Sequence, residues 1–116
     1  MPAAVANAHA LPPHYSLAGT SRCLVRHKAK VGAVVPSDRR LRALRDLAQR
    51  NSIQAVFDTG RVGLAFSRSE SQAKLLVELL TVPKDPYVLV RRANVVLMYK
   101  PAQKRAFTTT VACLRT

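Results

Sequence analysis

The chain is 116 residues long and carries 19 Lys and Arg against 6 Asp and Glu, a formal charge of +13 with a sequence pI near 11.2. At 48% hydrophobic residues it is no disordered basic tail, and it has the length of one domain or of two small halves sharing a core. Such a field attracts polyanions and releases their counterions; nucleic acid and an anionic membrane surface are the two partner classes it allows, and charge alone does not choose between them.

Residues 1–21 contain no Lys, Arg, Asp or Glu and are rich in Ala and Pro. They lack the basic start of a secretory signal and the arginines of a transit peptide. Two readings follow, a flexible extension or the remainder after a targeting segment has been removed. Pro12-Pro13 close an extension over residues 1–13, and a helix is expected directly after it. Leu17, Ala18, Gly19 and Cys23-Leu24-Val25 form its apolar side; Arg22, Arg26, His27 and Lys28 form the other. Gly19 is its weak point. Lys30 to Val35 then read as a strand ending at Pro36.

Ser37 is a good N-cap for a second helix, and Asp38 suits its positive start. Leu41, Leu44, Leu47 and Ala48 recur at three- and four-residue spacing, which predicts one buried stripe. Arg39, Arg40, Arg42, Arg45 and Arg50 occupy much of the rest, either as a solvated face or as contacts to RNA. Ile53–Phe57 and Val62–Phe66 flank Asp58-Thr59-Gly60-Arg61, the pattern of a β-hairpin. A turn over Ser67–Ser71 leads to residues 74–82, an apolar run that fits helix or strand equally. Pro83 and Pro86 bracket a link, and strands are expected at Tyr87–Val90 and Asn94–Tyr99.

The end of the chain places Thr108, Thr109 and Thr110 between two short apolar stretches, with Lys104, Arg105 and Arg115 on either side. Three hydroxyls there read as an ordinary Thr-rich strand. They equally suit a loop that donates to phosphate oxygens or ribose hydroxyls. Trp is absent and aromatics are 5% of the chain, too few for a platform that stacks single-stranded bases. Cys23 and Cys113 are far apart, with no CxxC pair and no His at a ligand spacing, so they read as small buried hydrophobes of a reducing compartment rather than a zinc site. No apolar run approaches the roughly 18 to 20 residues of a membrane span. An enzyme is not indicated. His9, His14 and His27 all lie in the first quarter, the carboxylates stand singly, and neither a Gly-rich phosphate loop nor a nucleophile motif occurs. His27, between Arg26 and Lys28, reads as a surface or phosphate-contacting residue.

Five segments in order resemble one family. They are Ser21-Arg22-Cys23-Leu24-Val25-Arg26-His27, Val34-Val35-Pro36-Ser37, Asn51-Ser52-Ile53-Gln54-Ala55-Val56-Phe57, Leu79-Leu80-Thr81-Val82-Pro83-Lys84-Asp85-Pro86, and Ala106-Phe107-Thr108-Thr109-Thr110-Val111-Ala112. Together, over about Leu17 to Leu114, they resemble the universal small-subunit ribosomal protein S-eight family in its bacterial and organellar form. The matching features are a basic first helix, a Pro-Ser cap, the turn into a hairpin, a crossing with a Lys-Pro, and an apolar-apolar-Ser-Thr-Ser-x-Gly signature. Ala112 stands where the family has Gly, and Ala tolerates positive φ poorly. The family also adds a further segment with a Gly-Gly pair and a closing strand. Its lack here implies a sheet edge covered by a neighbouring ribosomal protein.

The resemblance implies an α+β fold, with a helix-strand-helix-hairpin N-terminal half over 14–82 and a mostly β C-terminal half over 83–116. It implies binding to small-subunit rRNA in the central domain, with neighbouring ribosomal proteins as the other partners. No cofactor, metal, membrane or small-molecule substrate is expected. Thr108, Thr109 and Thr110 carry over from the family's RNA-contacting loop, and Arg22, Arg26, Lys28, Lys30 and Ser37 from its basic helix and cap. Arg39, Arg40, Arg42, Lys104 and Arg105 join them as phosphate contacts on charge. High basicity and short length favour a mitochondrial ribosome in the matrix, with a chloroplast or cytosolic ribosome left open. The competing class is a small basic structural subunit of an organellar membrane complex that binds no RNA.

Overall fold

The computed structural model describes residues 13–34 and 39–116. Residues 1–12 of the expected extension, and Pro36, Ser37 and Asp38 of the expected cap, lie outside the described residues. The protein is α+β, in the order α1 (Leu17–Arg26), β1 (Lys30–Gly32), α2 (Arg39–Ala48), β2 (Ser52–Phe57), β3 (Gly60–Phe66), α3 (Glu70–Leu80), β4 (Val88–Arg92), β5 (Val95–Tyr99) and α4 (Lys104–Ala112). The strands make one antiparallel sheet in the order β1-β2-β3-β5-β4.

Period-two alternation explains how a helical layer covers each side of this sheet. Val62, Leu64 and Phe66 of β3, with Val95, Leu97 and Tyr99 of β5, face one side and pack with Cys23, Leu24 and Ala106 of α1 and α4. Ala65, Val96 and Met98 face the other and pack with Leu41, Leu44, Ala73, Leu76 and Leu80 of α2 and α3. All five residues of β5 are buried, so its sequence is an unbroken apolar run rather than an alternating one. Gly63 lets α2 lie close against the sheet. A Cβ there would stand 2.6 Å from Leu41 Cδ2 and 3.0 Å from Leu44 Cδ2, both on buried leucines.

The β2–β3 hairpin with its Asp58-Thr59 turn forms as the residues predict, and α2 forms with Leu41 and Leu44 buried, but Leu47 of the predicted stripe is 47% exposed and Ala48 only half-buried. The ambiguous run is helical. Ser69 caps α3 by accepting from the Gln72 backbone N–H at 3.1 Å, and Glu70 stands in the first turn, where the helix dipole favours a carboxylate. The chain end differs from expectation. The hydroxyl run is neither strand nor loop but lies within α4, so residues 83–116 hold two strands followed by a helix. Two of the hydroxyls turn inward along that helix, Thr108 Oγ1 donating to the Lys104 carbonyl at 3.0 Å and Thr110 Oγ1 to that of Ala106 at 2.8 Å. Packing overrides the strand preference of threonine: Phe107 stacks on Tyr99 with ring centroids 4.2 Å apart, and Ala106 is fully buried.

The two ends of the described fold are fastened together. Cys23 and Cys113 are not free thiols but form a disulfide across a sequence separation of 90, which corrects the expectation of unlinked cysteines. The Ser16 N–H donates to the Arg115 carbonyl at 2.7 Å, and the Arg115 N–H donates to Thr20 Oγ1 at 3.1 Å. Asn94, 2% exposed, bonds both backbone groups of Tyr15, and its amide also donates to the Ser67 carbonyl at 3.1 Å. One side chain thus joins the segment entering α1 to the turns after β3 and β4. Truncating a buried amide that satisfies three backbone groups strands them: Asn94→Ala is expected to lower the unfolding free energy by about 2–3 kcal/mol in urea titration.

Candidate nucleic-acid interface

Charge divides between the two helical layers. Neither 13–34 nor 100–116, the segments that supply α1 and α4, contains an Asp or Glu. In α1, Gly19, Thr20, Cys23 and Leu24 turn inward, which leaves Arg22 and Arg26 one turn apart on the exposed side. With Ser21 and Val25 they line a shallow depression, and Val25 is 58% exposed. After the helix, Lys28 takes a left-handed conformation (φ 68°) that turns the chain into β1, and its side chain is exposed. Arg26, His27 and Lys28 therefore cluster at the negative end of the α1 dipole, which favours cations there whatever else they do.

A second depression brings Lys104, Arg105, Thr108 and Thr109 of α4 together with Thr59 from the β2–β3 turn. Lys104 and Thr108 share one row of the helix, Arg105 and Thr109 the next. Thr59 was not a candidate by sequence. Gly60 (φ 142°) places it, because a Cβ on that glycine would stand 2.7 Å from the Gln103 side chain just before α4. Only this tertiary contact marks the residue. Lys104 and Arg105 also begin a helix with no acidic residue in its first turn, an arrangement the helix dipole disfavours and a bound anion would relieve.

Thr110 is withdrawn from the candidate set: it is fully buried, with its hydroxyl spent on the Ala106 carbonyl. Thr108 is exposed and Thr109 half-buried, so two of the three hydroxyls border the surface. Lys30 lies on edge strand β1, where the pleat turns it away from α1 because Val31 packs into the α1 core. Arg39 and Arg42 are exposed on α2, in the opposite layer. Ser37 lies outside the described residues. The predicted contacts thus divide into a coherent set on the α1/α4 layer and a separate one on α2.

Arg40 is a structural residue. Its Nη2 stands 2.7 Å from Asp85 Oδ2 and also donates to the Leu80 carbonyl, tying α2 to the end of α3 and the link before β4. The other ion pairs among the described residues, Arg45–Asp46, Lys74–Glu70 and Arg91–Glu70, lie on the same side of the sheet. Among the described residues no carboxylate pairs with Arg22, Arg26, Lys28, Lys104 or Arg105.

Burial alone would raise the Asp85 carboxyl. The Arg40 hydrogen bond, the Tyr87 backbone N–H at 2.9 Å and the charge of Arg40 outweigh it, and the group is held below the ordinary carboxylate range. Asp85 therefore stabilises the fold above the unfolded carboxylate value of about 3.9, and loses that contribution as pH falls through its lower folded value. Asp85→Asn is expected to cost about 2 kcal/mol near neutral pH, with the gap to the parent closing below about pH 4 when denaturation is followed across pH.

The chain matches no protein-family model, no curated protein and no solved structure.

Proposed function

We propose that this protein binds structured RNA through its α1/α4 layer, as an rRNA-binding constituent of a small ribosomal subunit, with a mitochondrial ribosome as its setting. The observation that carries the reading is the segregation of charge. The α1/α4 segments hold exposed Arg22, Arg26, Lys28, Lys104 and Arg105 without a single carboxylate, while every ion pair among the described residues lies on the opposite side of the sheet. A surface arranged for its own stability would intersperse the two signs; one that meets phosphates gains from keeping carboxylates away. The order of segments resembling the S-eight family supplies the RNA class, although the hydroxyl run enters as a helix face rather than a loop.

In this reading the cations set affinity and its dependence on salt. Thr59 and Thr109 supply hydroxyls that donate to phosphate oxygens, Thr108, whose proton goes to the Lys104 carbonyl, accepts from a ribose hydroxyl, and Arg39 and Arg42 give a second contact from α2. No helix among the described residues is long and apolar enough to cross a membrane. Leu41 and Leu44 of α2 are committed to the core, so that helix has no full apolar face to offer a lipid surface.

Two measurements test the proposal. Crosslinking by ultraviolet light in cells, followed by sequencing of the attached RNA, is expected to enrich one helix of a small-subunit rRNA central domain. Recovery of membrane-complex subunits without rRNA would overturn it. In vitro, replacing Arg22, Arg26, Lys104 and Arg105 together with Gln is expected to lower the slope of log affinity against log salt by about 0.7–0.9 for each phosphate that is no longer neutralised. Thr110→Val should leave RNA affinity unchanged while Thr108→Val weakens it. An unaltered salt slope in the fourfold variant would remove the α1/α4 layer as the binding face.

A further inference from the structure

The disulfide has a third party. Cys23 sits on the inner side of α1, Cys113 directly after α4, with Cα atoms 5.3 Å apart and both side chains buried. His27 follows Cys23 by one helical turn, so its imidazole lies over the same end of α1. The two sulfurs and a ring nitrogen of His27 all lie within 4.8 Å of one another. Contrary to the expectation that no His stands at a ligand spacing, Cys23-x-x-x-His27 is one, since residues four apart share a helical face. Taking the cysteines one at a time conceals it, and only the fold brings Cys113 to the same place.

We infer that, once the disulfide is reduced, Cys23, Cys113 and His27 form a binding site for a thiophilic divalent cation, zinc. Two thiolates and one neutral imidazole are a three-ligand zinc set of the kind that leaves a fourth position for water. The burial pattern suits this. The sulfurs lie in the apolar layer between α1 and α4, and the exposed imidazole closes the outer side, so the open position faces solvent. Tetrahedral geometry with zinc–ligand bonds of about 2.0–2.3 Å sets the ligand atoms ~3.5 Å apart. Reaching it takes a parting of the sulfurs and an inward swing of His27, both side-chain movements on a backbone already close enough. Charge fits as well: two thiolates cancel the two positive charges of the ion, so an occupied site adds no net charge to a layer that is already cationic.

The chemistry balances in two steps. A reductant supplies two electrons as the S–S bond becomes two thiols: a dithiol gives up its own two protons and leaves as a disulfide, whereas a phosphine takes the oxygen of one water and leaves as a phosphine oxide, that water supplying both protons. Zinc then displaces both thiol protons as two Zn–S bonds form. The disulfide and the metal are therefore mutually exclusive occupants of one cross-link between α1 and the end of α4. In an oxidising setting the link is covalent, and in a reducing one zinc supplies it. This inference is independent of the RNA-binding reading, because it needs neither the cations nor the hydroxyls.

The test uses the full chain, oxidised or reduced with a phosphine, and titrates Zn²⁺ in competition with a chromogenic chelator, with Co²⁺ as the spectroscopic probe. The reduced protein is expected to bind one equivalent, to show intense thiolate-to-cobalt charge-transfer absorption with tetrahedral visible bands, and to melt at higher temperature with zinc than without. The oxidised protein is expected to show none of these. His27→Ala removes an exposed side chain and leaves the fold and the disulfide intact; in its reduced form zinc affinity should fall at least about tenfold. Cys113→Ser should abolish the cobalt charge-transfer band. Equal binding by oxidised and reduced protein, or by reduced parent and reduced His27→Ala, would overturn the assignment.

Discussion

β3 and β5 pair at the middle of the sheet, and both bury residues on both faces. Gly63↔Met98 through Phe66↔Val95 align so that Leu64 meets Leu97 on one side and Ala65 meets Val96 on the other. Neither strand can be solvated on either face, so the sheet requires a helical layer above and another below. That requirement determines where every other element goes. α1 and α4 cover one face, α2 and α3 the other, and the pairing joins a strand before the Pro83–Pro86 link to one after it. The segments 14–82 and 83–116 consequently share one sheet and one pair of cores.

Once two layers exist, they are free to carry different electrostatic duties. The α2/α3 layer uses its few carboxylates to hold elements together: Asp85 receives Arg40, and Glu70 receives both Lys74 and Arg91. The α1/α4 layer dispenses with carboxylates and is fastened by uncharged means, namely the disulfide, the Ser16 and Thr20 bonds to Arg115, and the Tyr99–Phe107 stack. Its cohesion uses no ion pair among the described residues.

What could be read from the residues alone follows from how local the cause is. The helix of α2 and the Asp58–Gly60 turn are written within a few positions and were legible, although of the three spaced leucines only Leu41 and Leu44 are buried and Leu47 is left exposed. For α3 the helical answer was also local, in Ser69 as cap and Glu70 behind it, although the apolar run that follows is silent on helix or strand. At α4 local and global causes conflict. Three consecutive threonines favour a strand, and the helix forms because Phe107 and Ala106 must reach the core and Cys113 must reach Cys23. The proposed interface draws on sequence and fold differently. Charge identified Arg22, Arg26, Lys104 and Arg105, whereas Thr59 entered, and Arg40 and Thr110 left, through contacts between residues remote in sequence.

The fastening of α1 to the end of α4 has a mechanical meaning. A covalent bond from Cys23 to Cys113 turns everything between them, the whole sheet included, into a closed ring. Tension applied from outside that ring travels through the first turns of α1, across the sulfur bridge and out through Leu114. The strands lie off that path and bear no load. A chain pulled through a pore or by a threading protease would stall at the bridge as a loop two chains wide, and only reduction would turn it back into a thread that can be drawn through.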